Sequence, residues 1–314
     1  MLHQYHSNSR LHVSLFSLRS LIHYKDPPGD IDRDEFALAN SLCLYSITAF
    51  YSDYDCYGMV NFNKEAVLQM VVETAPRLKT VRIRQYEAAD SLELRDAYNT
   101  PRPPWAGFFA DEPQGSTALT QTVKTKGHLR NLVLAGVDSA GSDEIVSWSL
   151  HTGFSELETL GITLPVDTRA LLTLKGLVEM GEFQSLRSLA LSVEALDGQD
   201  LSRLDTEASV LLHALPLLES LKLTGSVAEE TLSSILNHQQ RLRRFHFVPI
   251  RHRLMAFHMR RFQQHCPNLQ DLTLSIRRTM GRDQEVDIYR ALGGLRQLKR
   301  ASLFLNCAKE VHSY

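Results

Sequence analysis

The stretch "QQHCPNLQDLTLSI", residues 263–276, changes its apolar spacing within a few residues. Leu269 and Leu272 lie three positions apart, whereas Leu272 and Leu274 lie two apart. A spacing of two is the period of a strand, and a spacing of three or four is the period of a helix. The stretch therefore indicates a junction at which a helix ends near the Cys-Pro pair and a strand begins.

This junction recurs along the chain. The pattern L-x-x-L-x-L, with other apolar residues allowed, begins at Leu78, Leu129, Leu157, Leu186, Leu218, Leu242, Leu269 and Leu298. From the second copy onward the steps are 28, 29, 32, 24, 27 and 29 residues, and the first step is 51. Weaker strand patterns occupy residues 11–15 and 41–47. Such a regular interval predicts stacked units of one strand and one return helix, with the pattern's apolar residues in a shared core.

The segments between these strands have helical signals. Asp167 precedes one apolar-periodic segment and is a good N-cap, and Ser226 and Glu229 have the spacing of a capping box. A further segment places four apolar side chains on one helical stripe, namely Met255, Met259, Phe262 and Cys266. Shorter candidate helices lie at residues 64–75, 143–152, 207–214 and 285–292.

The sequence therefore predicts an α/β leucine-rich repeat solenoid, with a curved parallel sheet on the concave face and helices on the convex face. We expect one domain over residues 1–314. Residues 1–74 are degenerate N-terminal repeats or a cap, residues 75–306 are recognisable repeats, and residues 307–314 are a C-terminal tail. A Pro- and aromatic-rich insertion occupies residues 95–116.

Composition limits the class of protein. The chain has 43% hydrophobic and 22% charged residues and a formal net charge of −2, as expected for a soluble folded protein without a global attraction to nucleic acid or membrane. No apolar run approaches the ~20 residues that a membrane-spanning helix needs. The apolar N-terminal stretch is interrupted by Arg19, which argues against a signal peptide. The four scattered cysteines are typical of reduced thiols, so we expect a cytoplasmic or nuclear protein.

Two of the junctions, "HCPNLQDLTLS" and "APRLKTVRI", are similar to the helix-to-strand junctions of F-box leucine-rich repeat proteins, whose repeats are of the ribonuclease-inhibitor-like type. Fungal members of that group also have degenerate repeats and Pro-rich insertions. The resemblance implies the substrate-receptor role of an SCF-type ubiquitin ligase. One departure matters, because an F-box is a helical module ahead of the repeats and only about ten residues precede the first strand pattern here. We expect a Skp-type adaptor as a partner only if an F-box exists upstream, in which case the present sequence is truncated.

The sequence has no constellation of catalytic residues. The motifs of nucleophilic hydrolases, zinc proteases, P-loops and dinucleotide-binding folds are absent from it. The tightest histidine group is His246, His252, His258 and His265, whose spacings of six, six and seven span several element types. Their ring nitrogens should not converge on a metal. We therefore expect a protein that is not an enzyme and has no catalytic residues, metal or cofactor.

A partner would bind the concave face, since the residues between the leucines point there. Seven of these residues are candidate contacts, namely Arg82, Arg84, Lys222, Arg244, His246, Arg300 and Phe304. From Asn237 to the C-terminus the chain has 15 Lys/Arg against 5 Asp/Glu, so an acidic or phosphorylated partner fits this end. One alternative is that the arginines match the acidic half of the same chain. The other is that they lie on separate helices and loops and are simply solvated. Nucleic acid is not expected, because no aromatic residues are interleaved with the arginines.

The insertion at residues 95–116 adds a second candidate contact region. It contains Trp105, Phe108 and Phe109, and exposed aromatic residues are typical binding anchors. The alternative is that the loop folds back as a plug over the edge of the repeats.

The favoured function is thus non-catalytic protein–protein recognition on the concave face. The alternative is a repeat protein that binds and controls an enzyme, as GTPase activators and nuclease inhibitors of this fold do.

Overall fold

A computed structural model describes nine ranges of the chain. These are residues 11–15, 41–51, 67–68, 70–85, 126–136, 141–195, 200–250, 253–279 and 281–306. The chain divides into two compact units. Unit 1 consists of Met1–Asp138 and Asp143–Leu157, and unit 2 consists of Ser139–Ser142 and Glu158–Tyr314. The prediction of one domain over residues 1–314 stays a prediction.

Unit 1 contains parallel strands that neighbour one another in chain order. They are β1 (Leu11–Leu15), β2 (Leu44–Tyr51), β3 (Thr80–Gln85) and β4 (Asn131–Ala135). A short π-helix at Met70–Thr74 precedes β3, and helix α1 (Ser142–His151) and a 3-10 turn (Phe154–Glu156) follow β4. The strand predicted at residues 41–47 is present but begins three residues later.

Unit 2 alternates strands and helices. Its strands are β5 (Thr159–Val166), β6 (Ser188–Val193), β7 (Ser220–Gly225), β8 (Arg244–Pro249), β9 (Asp271–Arg277) and β10 (Arg300–Asn306), again parallel and adjacent in chain order. Its helices are α2 (Thr168–Glu179), α3 (Leu201–Ala214), α4 (Glu229–His238), α5 (Ala256–His265) and α6 (Asp283–Gly293). One helix follows each strand up to β9, so the α/β leucine-rich-repeat fold is confirmed.

The predicted apolar positions form the core. In the copy that begins at Leu269, the side chains of Leu269, Leu272 and Leu274 are at most 1% exposed. The corresponding residues of the copies from Leu78 to Leu242 are also buried. Because each fully buried leucine contributes roughly 1.5–3 kcal/mol, the repeated pattern supplies a substantial part of the apolar driving force for folding.

The last copy differs from the prediction. Leu298 and Leu303 are only partly buried, and Ala301 is exposed. Strand β10 is the last strand of unit 2 in the described ranges, and none of the described strands packs on its outer side. A core position is buried only when elements on both sides cover it.

Buried polar side chains that follow a helix bond the backbone ahead of the preceding strand. The Gln239 side chain accepts a hydrogen bond from Leu218 N–H at 2.8 Å and donates one to Leu212 C=O at 3.0 Å. In unit 1 the Thr152 hydroxyl accepts from Leu129 N–H at 3.3 Å and donates to Gly127 C=O at 3.0 Å. These bonds satisfy backbone groups that water cannot reach.

Helix α4 begins differently from the prediction. No side chain of its own cap residue bonds the first turn, so the capping box predicted from Ser226 is wrong. The carboxylate of Asp205 on α3 instead accepts from the backbone N–H groups of Ala228, Glu230 and Thr231, at 2.6, 3.0 and 3.4 Å. Asp205 is 5% exposed. A neighbouring repeat therefore supplies the cap that the local sequence only suggests.

Two other predicted helix features have mixed outcomes. The N-cap at Asp167 is confirmed, since its carboxylate accepts from Ala170 N–H at 2.8 Å. In the predicted apolar stripe of α5, Met259, Phe262 and Cys266 are buried. Met255 is the cap residue ahead of the helix and is 49% exposed, so its assignment to the stripe is wrong.

A carboxylate organises the loop between β9 and α6. Glu285 accepts hydrogen bonds from Tyr289 O–H at 2.7 Å, Thr279 N–H at 2.6 Å and Gly281 N–H at 3.2 Å. These donors favour the charged form, the tyrosine most strongly, and they lower the pKa of Glu285 from its usual 4.5 to about 2. The loop geometry thus depends on an ionised carboxylate.

Candidate functional site

In the part of the chain that the structure describes, the sheet of unit 2 has one face covered by helices and one face without them, which we call the open face. The buried residues of each strand point toward the helices, and the alternate residues point to the open face. Strand pairing aligns the open-face residues in rows that cross the sheet. One row is Thr159, Ser188, Ser220, Arg244, Asp271 and Arg300, and the next is Gly161, Ala190, Lys222, His246, Thr273 and Ser302.

These rows change chemistry across the unit. On β5 and β6 they contain small uncharged residues, whereas on β7, β8 and β10 they contain Lys222, Arg244, His246 and Arg300. The arrangement follows from a parallel in-register sheet, in which equivalent repeat positions stand about 4.8 Å apart between neighbouring strands. The structure therefore brings four residues predicted from the sequence into one part of the open face, which we call the basic row region.

One acidic residue lies within this region. Asp271 pairs in register with Arg244 on one side and with Arg300 on the other. A carboxylate between two guanidinium groups offsets part of their positive charge and reduces the repulsion between them. The region is net basic but not uniformly so, and this internal balance was not recognised from the sequence. The regular repeat step offered the signal, since it places residues 244, 271 and 300 at one equivalent position.

His246 is partly buried and lies beside the charged Lys222 of the neighbouring strand. Burial, and secondarily the nearby Lys222 ammonium group, lower its pKa from the usual 6.5. Its ring therefore carries little charge at neutral pH and acts as a hydrogen-bonding aromatic. The fixed positive charge of the region comes from Lys222, Arg244 and Arg300, all of which are exposed.

An aromatic side chain completes the region. Phe304 on β10 is 54% exposed, and its ring centroid lies 6.3 Å from that of His246 in an edge-on arrangement. The two rings belong to strands on opposite sides of β9, whose open-face residues Thr273 and Ser275 are small enough for the rings to approach above them. Phe304 is thus an exposed apolar contact beside the cationic groups.

The remaining predicted residues lie elsewhere. Arg82 and Arg84 are exposed, two positions apart on β3 of unit 1, where they pair in register with Thr48 and Phe50 of β2. Trp105, Phe108 and Phe109 lie outside the described residues, so the aromatic insertion stays a prediction.

The histidines do not form a metal centre in the described ranges, where no group of three or more His, Cys, Asp or Glu side chains could hold a metal ion. His258 has a structural role instead. Its Nδ1 accepts from Met255 N–H at 2.9 Å, and its Nε2 bonds the Glu229 carboxylate at 2.8 Å. The carboxylate also lies 3.3 Å from the guanidinium group of Arg261. This partly buried network joins α5 to α4.

Burial raises the pKa of the Cys266 thiol to about 12, so this cysteine is a core side chain and not an ionised nucleophile at neutral pH.

None of the helices in the described part of the chain has the length and apolar character that a membrane crossing requires.

Comparison with known proteins finds a likeness among solved structures. The chain matches no known protein-family model and no curated protein. Among solved structures, it is similar to the leucine-rich repeat-containing protein LegL7 from Legionella pneumophila, with 13% sequence identity and a TM-score of 0.42. The match covers 96% of this chain and 93% of that chain.

Proposed function

We propose that this protein is a non-catalytic recognition module that binds an acidic segment of a partner protein on the open face of unit 2. The observation that supports the proposal is the alignment of Lys222, Arg244 and Arg300 in two neighbouring rows beside the exposed ring of Phe304. Arginine and aromatic residues are the types enriched in energetically important protein contacts. The β5 and β6 part of the face provides small side chains over which a partner backbone can pass.

Phosphorylated and carboxylate-rich segments both suit this region. The planar guanidinium groups of Arg244 and Arg300 can bond either anion in a forked geometry. His246 adds a neutral donor at physiological pH, and an anion bound beside it would raise its pKa. Affinity should therefore increase on mild acidification.

Two molecular roles are compatible with this binding. In one form, the protein is the substrate receptor of a Skp-type ubiquitin ligase, because its helix-to-strand junctions resemble those of F-box leucine-rich repeat proteins. In the other form, it binds and regulates an enzyme. Either role is that of a cytoplasmic or nuclear protein without catalytic residues or cofactors.

The binding test uses two labelled peptides of equal length, one rich in Glu and Asp with a phosphoserine and one with those positions replaced by Lys and Ser. The acidic peptide should bind, more weakly as salt rises, and the basic peptide should not. Arg244→Glu should weaken the acidic peptide by about tenfold, since the substitution replaces attraction with repulsion.

Arg260→Glu is the matched control, because Arg260 is exposed on α5 and the substitution changes the net charge equally. Equal losses in both variants would refute a specific site and leave only a general charge effect. Affinity capture then separates the two roles. A Skp-type adaptor with a cullin supports the ligase form, and one stoichiometric enzyme without the adaptor supports the regulatory form.

A further inference from the structure

Among the described strands, β10 (Arg300–Asn306) lies at the edge of the sheet in unit 2, and it is exposed over almost its whole length. Phe304 is 54% exposed on the open face, and Leu305 is 40% exposed on the other. Native proteins usually protect such an edge with proline, several charges or a covering element. Within β10 the only such device is Arg300 at its start. An apolar edge of this kind is a template for another strand.

The hydrogen bonds of β10 show which backbone groups face outward. Arg300 N–H donates to Gln270 C=O at 3.0 Å, and Asn306 C=O accepts from Arg278 N–H at 3.1 Å. Residues 300 and 306 therefore direct their peptide groups toward β9. Because peptide groups alternate along a strand, those of Ala301 and Leu303 point away from β9. These two residues offer two donors and two acceptors to an incoming strand.

We infer that β10 pairs antiparallel with β10 of a second copy of this chain, in the register that places Ser302 opposite its own counterpart. This register sets Ala301 opposite Leu303 of the other copy and Leu303 opposite Ala301, so their outward peptide groups form four backbone hydrogen bonds. Ser302, whose peptide groups point toward β9, then occupies a non-hydrogen-bonded position, where side chains approach most closely. Serine is small enough for that position.

Side-chain chemistry also fits a second copy. The register places Arg300 opposite Phe304 of the other copy on the open face, which allows a cation–π contact at each end of the pair. On the opposite face, Ala301 meets Leu303, a small residue against a large one. A parallel pair of the two edges would instead set Arg300 against Arg300, which is unfavourable. In this register the strand is complementary to itself in the antiparallel direction.

A two-fold axis through Ser302 closes the assembly at two copies, because each edge is used once. A seven-residue strand offers less surface than the roughly 800 Å² per partner of a standard interface. The dimer should therefore be concentration-dependent. It would place the basic row regions of the two copies on one continuous sheet face, in which Arg300 and Phe304 belong to both the dimer contact and the proposed binding region.

The test is sedimentation velocity of the full chain from low to high micromolar concentration, for the parent and for Ser302→Lys and Ser302→Asp. The parent should shift from monomer to dimer as concentration rises. Each variant alone should remain monomeric, since like charges would oppose each other at the two-fold axis. An equal mixture of the two variants should recover the dimer, because lysine then opposes aspartate.

Thr273→Lys is the matched control, because Thr273 lies beside Ser302 on the same face but on β9, away from the edge. It should dimerise as the parent does. A parent that stays monomeric at high micromolar concentration, or a dimer that both Ser302 variants retain, would overturn the inference. So would a mixture that remains monomeric. None of these outcomes depends on the acidic peptide, so loss of the dimer with retained sensitivity to Arg244→Glu would leave the proposed function standing.

Discussion

Removal of the Asp205 carboxylate should destabilise unit 2 by about 2–4 kcal/mol. The carboxylate is buried on α3 and accepts three backbone N–H bonds from the first turn of α4. Loss of a helix N-cap costs about 0.5–2 kcal/mol, and buried donors left without acceptors cost about 1–3 kcal/mol more. We therefore expect Asp205→Ala to lower the urea midpoint and to speed hydrogen exchange at Ala228, Glu230 and Thr231.

Two comparison variants test the reasoning. Asp205→Asn keeps one acceptor oxygen for Ala228 and Thr231 but presents an amide N–H₂ to Glu230, so its cost should be intermediate. Asp200→Ala removes an exposed cap on α3 that makes one backbone bond at 2.9 Å, and should cost about 1 kcal/mol or less. If Asp205→Ala matches the parent in both urea midpoint and exchange, or costs no more than Asp200→Ala, the inter-repeat cap is not energetically important.

Three further substitutions, two of them paired with a comparison variant, test the fold. Glu285→Gln should be less stable than the parent above pH 4.5, and the difference should vanish as pH falls toward 2. Folding lowers the pKa of Glu285 from 4.5 to about 2, so its carboxylate stabilises the fold fully above the unfolded-state pKa and loses this contribution as pH falls through the folded-state pKa. A pH-independent difference in urea titrations would contradict this. Leu272→Asp buries a carboxylate in the core and should cost at least about 3 kcal/mol in urea unfolding, whereas Thr273→Asp on the open face should stay near the parent. Gly225→Ala should cost at least about 2 kcal/mol, because φ is 98° and a Cβ would lie 2.1 Å from a carbonyl oxygen of the adjacent strand. Gly176→Ala in helix α2 meets nothing within 4 Å and should raise the melting temperature instead.

Part of the candidate site could be predicted from sequence. The repeat step identified Lys222, Arg244, His246 and Arg300 as open-face residues, because side-chain alternation is a local property of a strand. It did not reveal that Asp271 sits between two arginines. The repeat step places residues 244, 271 and 300 at one equivalent position, but the pairing of their strands in register is a property of neighbouring repeats.

Helix caps show the same division. The cap at Asp167 acts three residues along its own chain, and local sequence predicted it correctly. The cap of α4 comes from Asp205, 23 residues before Ala228, while the nearby Ser226 has no such role. A capping signal read within one helix cannot include an acceptor that packing brings from another.

The sequence by itself therefore determined the repeat unit, the strand positions and the apolar core, since leucine spacing reports directly which way each side chain points along one element. Only the tertiary structure decided which polar groups meet across repeats and which copy of the pattern remains uncovered. Leu303 carries the same core signal as Leu274, yet Leu274 is fully buried and Leu303 is not. Burial is shared between neighbours, and the pattern on a strand does not state whether another strand lies beside it.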